Sequence, residues 1–140
     1  MLLATTGDVV VQRDLTYAGY PNSQNVLGIF SSTGSVRVGS SAPENMNLDA
    51  YVMATGSNGS FTVDNYSQGS SRGTFHLRGG MVETYYGAFG TFNSSTGKQV
   101  SGYGRNFQYD RRGIVPPYFP TTTRFTADTP VARTLAWREL

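Results

Sequence analysis

The chain has 140 residues with a formal net charge of +2, only 14% charged side chains, 17 glycines and no cysteine. The lack of cysteine excludes disulfides, thiolate metal centres and thiol catalysis. The charge is far from the strong basic excess of a dedicated nucleic-acid binder, and no run of eighteen apolar residues is present that would span a membrane as a helix.

The first element is a short phrase, Gly7-Asp8-Val9-Val10-Val11. It returns as Gly34-Ser35-Val36-Arg37-Val38, as Gly59-Ser60-Phe61-Thr62-Val63 and as Gly87-Ala88-Phe89-Gly90-Thr91, at intervals of 27, 25 and 28 residues. A bend residue followed by apolar positions two apart predicts a strand start. Its return at a nearly constant interval predicts a chain that stacks similar coils. Each later phrase has a partner strand before it in the same coil: Val26 to Phe30, Met46 to Ala54, and Thr74 to Val82. In the second of these, Leu48, Ala50, Val52 and Ala54 alternate with Asn47, Asp49, Tyr51 and Met53. Small aliphatic residues on one face suit a narrow interior with close walls. Gly-, Ser- and Asn-rich turns separate the strands. A sandwich or barrel also meets that turn spacing; the recurring phrase favours the solenoid.

After Phe92 the rhythm changes. The stretch from Gly97 to Arg112 is rich in Gly, Tyr and Arg, and Ile114-Val115-Pro116-Pro117-Tyr118-Phe119-Pro120 follows it. Three prolines in five residues hold an extended path and remove ladder donors. The expectation is a single all-β domain, with solenoid coils in residues 1–96 and a last coil plus extended capping tail in 97–140. Tyr118 and Phe119 would pin the tail by burial, and Trp137 would dock on the body. The opening Met1-Leu2-Leu3-Ala4 is too short and lacks the basic residues of an export signal, so the chain is expected to be either cytosolic or a fragment of an exported protein, and the resemblance given below favours the fragment.

Candidate chemistry is sparse. His76 is the sole histidine and is read as a solvent-facing or cross-strand polar residue. Asp49 aligns with Arg78, Glu83 meets no acid in the coil before it, and no repeating acidic column emerges such as polysaccharide-cutting solenoids use. No Walker-type loop or nucleophile elbow is present. No cofactor and no metal site are expected. The surplus is Tyr and Arg. Tyr85, Tyr86, Tyr103, Arg105, Arg111 and Arg112 form the candidate ligand-binding set, since aromatics interleaved with guanidinium groups stack bases and pair phosphates. The same mix suits sugars or a protein interface. The plain alternative is half-buried strand tyrosines and solvated arginines, with Arg111 pairing locally with its neighbour Asp110.

The segments Asn25 to Phe30, Gly34 to Val38, Leu48 to Ala54, Gly79-Gly80-Met81-Val82, Tyr109-Asp110-Arg111-Arg112 and Pro116 to Pro120 carry a resemblance. They resemble an uncharacterised domain of pilin-like proteins in the Deinococcus–Thermus group, similar to the solenoid part of a competence-associated minor pilin. The match covers roughly residues 5 to 120, with Tyr-Asp-x-Arg and Pro-Pro-x-Phe-Pro its most specific phrases. The coil phrases also resemble bactofilins, which are polymerising β-solenoids. The resemblance implies a right-handed β-solenoid of about four coils in the cell envelope. Its implied partners are pilin-like proteins or a type IV pilus tip, and its implied role is non-enzymatic binding, with DNA as the first ligand. A self-assembling structural role, in which the chain is a homo-oligomer, is the alternative. A carbohydrate-acting enzyme is the second. The pilin helix that would anchor such a protein is not in this sequence.

Overall fold

The computed structural model describes residues 1–114; the predicted capping tail, with Tyr118, Phe119 and Trp137, lies outside the described residues. The strands are β1 (Leu2–Thr5), β2 (Val9–Val11), β3 (Gly28–Ser31), β4 (Val36–Val38), β5 (Asn47–Ala54), β6 (Phe61–Val63), β7 (Ser71–Glu83), β8 (Gly90–Phe92) and β9 (Gln99–Tyr109), followed by a 3-10 turn at Arg111–Ile114. They form a long sheet in the order β1-β3-β5-β7-β9-β8 and a short sheet in the order β2-β4-β6. Every pairing is parallel except β8 with β9. From β1 to β7 successive strands thus go to alternate sheets, β8 and β9 both joining the long one, and the chain winds as a β-solenoid of about four turns.

The alternation read from β5 decides its orientation. Leu48, Ala50, Val52 and Ala54 are all fully buried. Opposite them the short sheet contributes Val36, Val38, Phe61 and Val63, also buried. In-register columns such as Val9–Val36–Phe61 and Val11–Val38–Val63 build one continuous interior, in which each coil covers the apolar surface of the next. The interior is aliphatic at the first coils and becomes aromatic at the last. Phe61 and Phe75 meet Phe89 with centroids 5.1 and 5.3 Å away, and Phe107 lies 5.5 Å from Phe89 in an edge-on arrangement.

The first three phrase glycines stack as predicted, because Val9, Val36 and Phe61, each two residues beyond its glycine, are direct partners. The fourth does not continue the column. Within the short sheet Val36 N donates to Ser60 O at 2.9 Å, whereas the last coil is displaced by two residues, so that Val63 N, not Phe61 N, donates to Ala88 O at 3.0 Å. Gly87 therefore lies against the Phe61 carbonyl, where an added Cβ would come within 1.8 Å of that oxygen. The phrase recurs in sequence, but its fourth glycine serves close backbone approach. The Glu83 carboxylate fills the gap in the ladder, with Oε2 accepting from Phe61 N at 2.7 Å and from Gly87 N at 3.2 Å.

Other acids act in the same way. The Asp8 Oδ1 accepts from Ser35 N at 2.9 Å, and the Asp14 Oδ1 from Asn47 N at 2.8 Å. Asp49 Oδ2 accepts from Tyr17 N at 2.8 Å. β5 extends four residues before the part that β3 covers, and the loop between β2 and β3 supplies the missing neighbour. Leu15 N donates to Asn47 O at 3.0 Å, and Asp49 N donates to Leu15 O at 2.7 Å. These bonds satisfy buried backbone groups that an uneven strand length would otherwise leave unpaired.

Candidate functional site

The six residues expected to bind ligand do not converge. Tyr103 is fully buried, which corrects the expectation that it lies on a binding surface. Its ring is covered by the Arg72 guanidinium, 4.5 Å from the centroid, and its hydroxyl donates to Pro43 O at 2.6 Å. Burial pushes its pKa above the ordinary tyrosine value despite the nearby Arg72 charge. Tyr85 and Tyr86 are exposed, and Arg105 stacks 4.9 Å over Tyr86 and 5.9 Å over Phe89. Arg105 and Tyr86 thus form one pair that also roofs the aromatic end of the core.

Arg111 and Arg112 lie beyond the end of β9, at least ~13 Å further along at the usual strand rise. Arg111 is exposed. Arg112, not Arg111, is the partner of Asp110. Arg112 Nη2 lies 2.6 Å from Asp110 Oδ2, and Arg112 Nη1 donates to Ser23 O at 2.6 Å. Its guanidinium also covers Tyr17 and Tyr20, at 4.9 and 4.6 Å from the centroids. Burial pushes Asp110 upward, but the hydrogen bonds and charge of Arg112 outweigh it and hold the carboxyl below its ordinary value. The same bonds to Asp110 raise Arg112 further. Arg78 completes the cluster, 3.3 Å from Asp49 and 3.9 Å over Tyr20. The alignment of Asp49 with Arg78, read from the sequence, is the observed register.

Sequence reasoning missed the feature that these contacts frame, the outward face of the long sheet. Asn47, His76 and Asn106 are direct partners on β5, β7 and β9, and so are Asp49, Arg78 and Gln108. These side chains line a shallow depression of about 90 Å³. Asn106 Nδ2 lies 3.2 Å from His76 Nδ1, the cross-strand contact expected of a lone strand histidine. Further along the same three strands, a second depression of about 170 Å³ is lined by Tyr51, Met53, Gly80, Val82 and Tyr109, among others. The signal was present in the alternation of Asn47, Asp49, Tyr51 and Met53, but its continuation on β7 and β9 required the register.

A larger cleft of about 490 Å³ lies under the loop between β2 and β3, between Leu15, Tyr17, Gln24 and Leu27. Tyr17 lines it, and burial pushes that phenol above its ordinary value. Among the described residues no three of His, Asp and Glu gather closely enough to hold a metal ion, and no helix is long and apolar enough to cross a membrane.

The fold and these faces define a β-solenoid that presents a flat, cross-strand array of side chains. Comparison with family models, curated proteins and solved structures finds no match to this chain.

Proposed function

We propose that this chain is a non-enzymatic binding module of the cell envelope, acting beside pilin-like proteins and engaging an extended polymer along a sheet face. The observation that carries this reading is the in-register parallel stack of β5, β7 and β9. It repeats outward side chains at strand spacing, about 4.8 Å. The employment of the carboxylates supports a non-catalytic role. Asp8, Asp14, Asp49 and Glu83 each accept a backbone N–H, and Asp64 and Asp110 pair with Arg37 and Arg112. The association with pilins and the envelope location rest on the sequence resemblance.

DNA, the ligand first expected, has fewer cations to meet than the sequence offers, because four of the arginines are engaged within the fold. Arg37 bridges Asp8 and Asp64 at 3.1 and 2.8 Å. Arg72 donates to the Gly39 carbonyl at 3.3 Å, and Arg78 and Arg112 are paired with carboxylates. A phosphate-tracking surface needs free cations in a row. The test is binding of duplex DNA and of soluble glycans to the immobilised chain at low and high salt, with pilin capture from envelope extracts as the partner assay. Failure to retain any polymer would overturn the reading.

A structural role in end-to-end assembly is favoured by a separate observation. Among the described residues Gly104–Tyr109 of β9 pair only with β7, since β8 covers only Gln99–Gly102. An open strand edge invites pairing with another chain. Light scattering that grows with concentration into filaments would support that role.

A further inference from the structure

We infer that the outward face of β5, β7 and β9 is a binding groove for a neutral, extended glycan. This rests on the binding-module reading and specifies its ligand. The two depressions are consecutive along the same strands, one polar and one aromatic. Asn47 and Asp49 precede Tyr51 on β5, His76 and Arg78 precede Gly80 on β7, and Asn106 and Gln108 precede Tyr109 at the end of β9.

Three features select the occupant. The polar half is electrically balanced, because Arg78 is paired with Asp49 within the face. What it offers outward are the exposed amides of Asn106 and Gln108 and the half-buried Asn47 and His76. Amides and an imidazole donate and accept at once, as a hydroxyl-bearing ligand requires and a phosphate chain does not.

The aromatic half presents Tyr109, 63% exposed, as a rigid plate. The buried Tyr51 meets it edge-on at 6.5 Å and 88°, and the Tyr51 hydroxyl donates to the Asp110 carbonyl. Gly80 leaves room for that arrangement, since an added Cβ would lie 3.1 Å from the Tyr51 ring and 3.4 Å from the Tyr109 ring. An exposed tyrosine already immobilised loses little entropy on binding. The C–H face of a sugar ring packs on such a plate while its hydroxyls reach the neighbouring amides. Combining an apolar wall with a few placed polar groups is the usual build of a ligand site.

The experiment is calorimetric titration of the whole chain with chitohexaose and with cellohexaose, with duplex DNA titrated in parallel. At least one hexasaccharide binds, with an affinity that does not change between low and high salt. Tyr109→Ala weakens it about tenfold, as does the double change Asn106→Ala and Gln108→Ala, the scale of a contact that dominates a small interface. Both sites are exposed, and unchanged thermal unfolding of the variants separates lost binding from lost folding. Absence of binding to both sugars, or variants that bind as the parent does, overturns the inference. If the sugars fail but DNA binds with steep salt dependence, the glycan assignment falls and the binding-module reading stands. If nothing binds and the chain assembles into filaments, both fall.

Discussion

Arg112 and Ser23 lie 89 residues apart in the chain, and the Arg112 Nη1 donates to the Ser23 carbonyl at 2.6 Å. The bond ties the residues after the last described strand to the loop that leaves the first coil. It runs alongside the solenoid, independently of the ladders that join each coil only to its neighbours. Arg112 is held in place by Asp110, whose side chain is only 2% exposed. Removing one partner of so buried a pair strands the other charge. Arg112→Ala is therefore expected to cost about 3 kcal/mol, read as the change in urea midpoint, and Arg112→Lys to recover only part of it, because an ammonium cannot span Asp110 and Ser23 together.

The same pair sets the acid limb of stability. Asp110 titrates below its ordinary value in the folded protein. Its contribution is complete above the unfolded carboxyl value of about 3.9, and it is lost as pH falls from there through the folded value. Thermal unfolding followed from neutral pH into this acid range should fall more steeply for the parent than for Asp110→Asn, which starts less stable. Parallel curves would remove the pair from the account.

At the alkaline end two phenols act in the opposite sense. Burial raises both Tyr17 and Tyr103. Each contributes stability that is complete below about pH 10, the unfolded value, and is lost as pH rises through the folded value. Tyr103→Phe should flatten the alkaline loss. At neutral pH it should cost about 1 kcal/mol for the hydroxyl bond to Pro43. Absorbance titration of tyrosinate should show two phenols ionising only with unfolding.

The phrase glycines make a direct comparison. A Cβ at Gly7 meets nothing within 4 Å, whereas one at Gly87 would come within 1.8 Å of the Phe61 carbonyl oxygen. Gly7→Ala should leave the unfolding midpoint within about 0.5 kcal/mol of the parent. Gly87→Ala should lower stability by about 3 kcal/mol, the upper range for forced overpacking, and broaden the amide signals of Phe61 and Thr62 in NMR spectra.

Glu83 gives a test of ladder repair by a side chain. Its carboxylate takes the N–H groups of Phe61 and Gly87. Glu83→Ala should cost about 2 kcal/mol, in the range for a buried donor left unsatisfied. Glu83→Gln keeps an acceptor oxygen and should lose less than half of that. Equal losses in the two variants would mean that the charge, not the acceptor, is what matters.

Much of the winding was legible in the chain itself. A period of two in Leu48, Ala50, Val52 and Ala54 and a glycine phrase recurring about every 27 residues are local signals, and they suffice to say that coils stack and which face of β5 turns inward. The register of Asp49 with Arg78 followed from the same spacing. What the chain alone did not decide is how deep a given side chain lies and what it touches. Tyr103 and Tyr86 look alike in sequence. One is sealed by Arg72 and Pro43, some thirty and sixty residues earlier, and the other faces solvent. Arg112 reads as a surface cation until Asp110 and Ser23 close on it. The displaced last coil depends on Glu83 entering the ladder. Alternation is a property of neighbouring residues, whereas burial and pairing here come from contacts between coils, and only the folded stack brings those residues together.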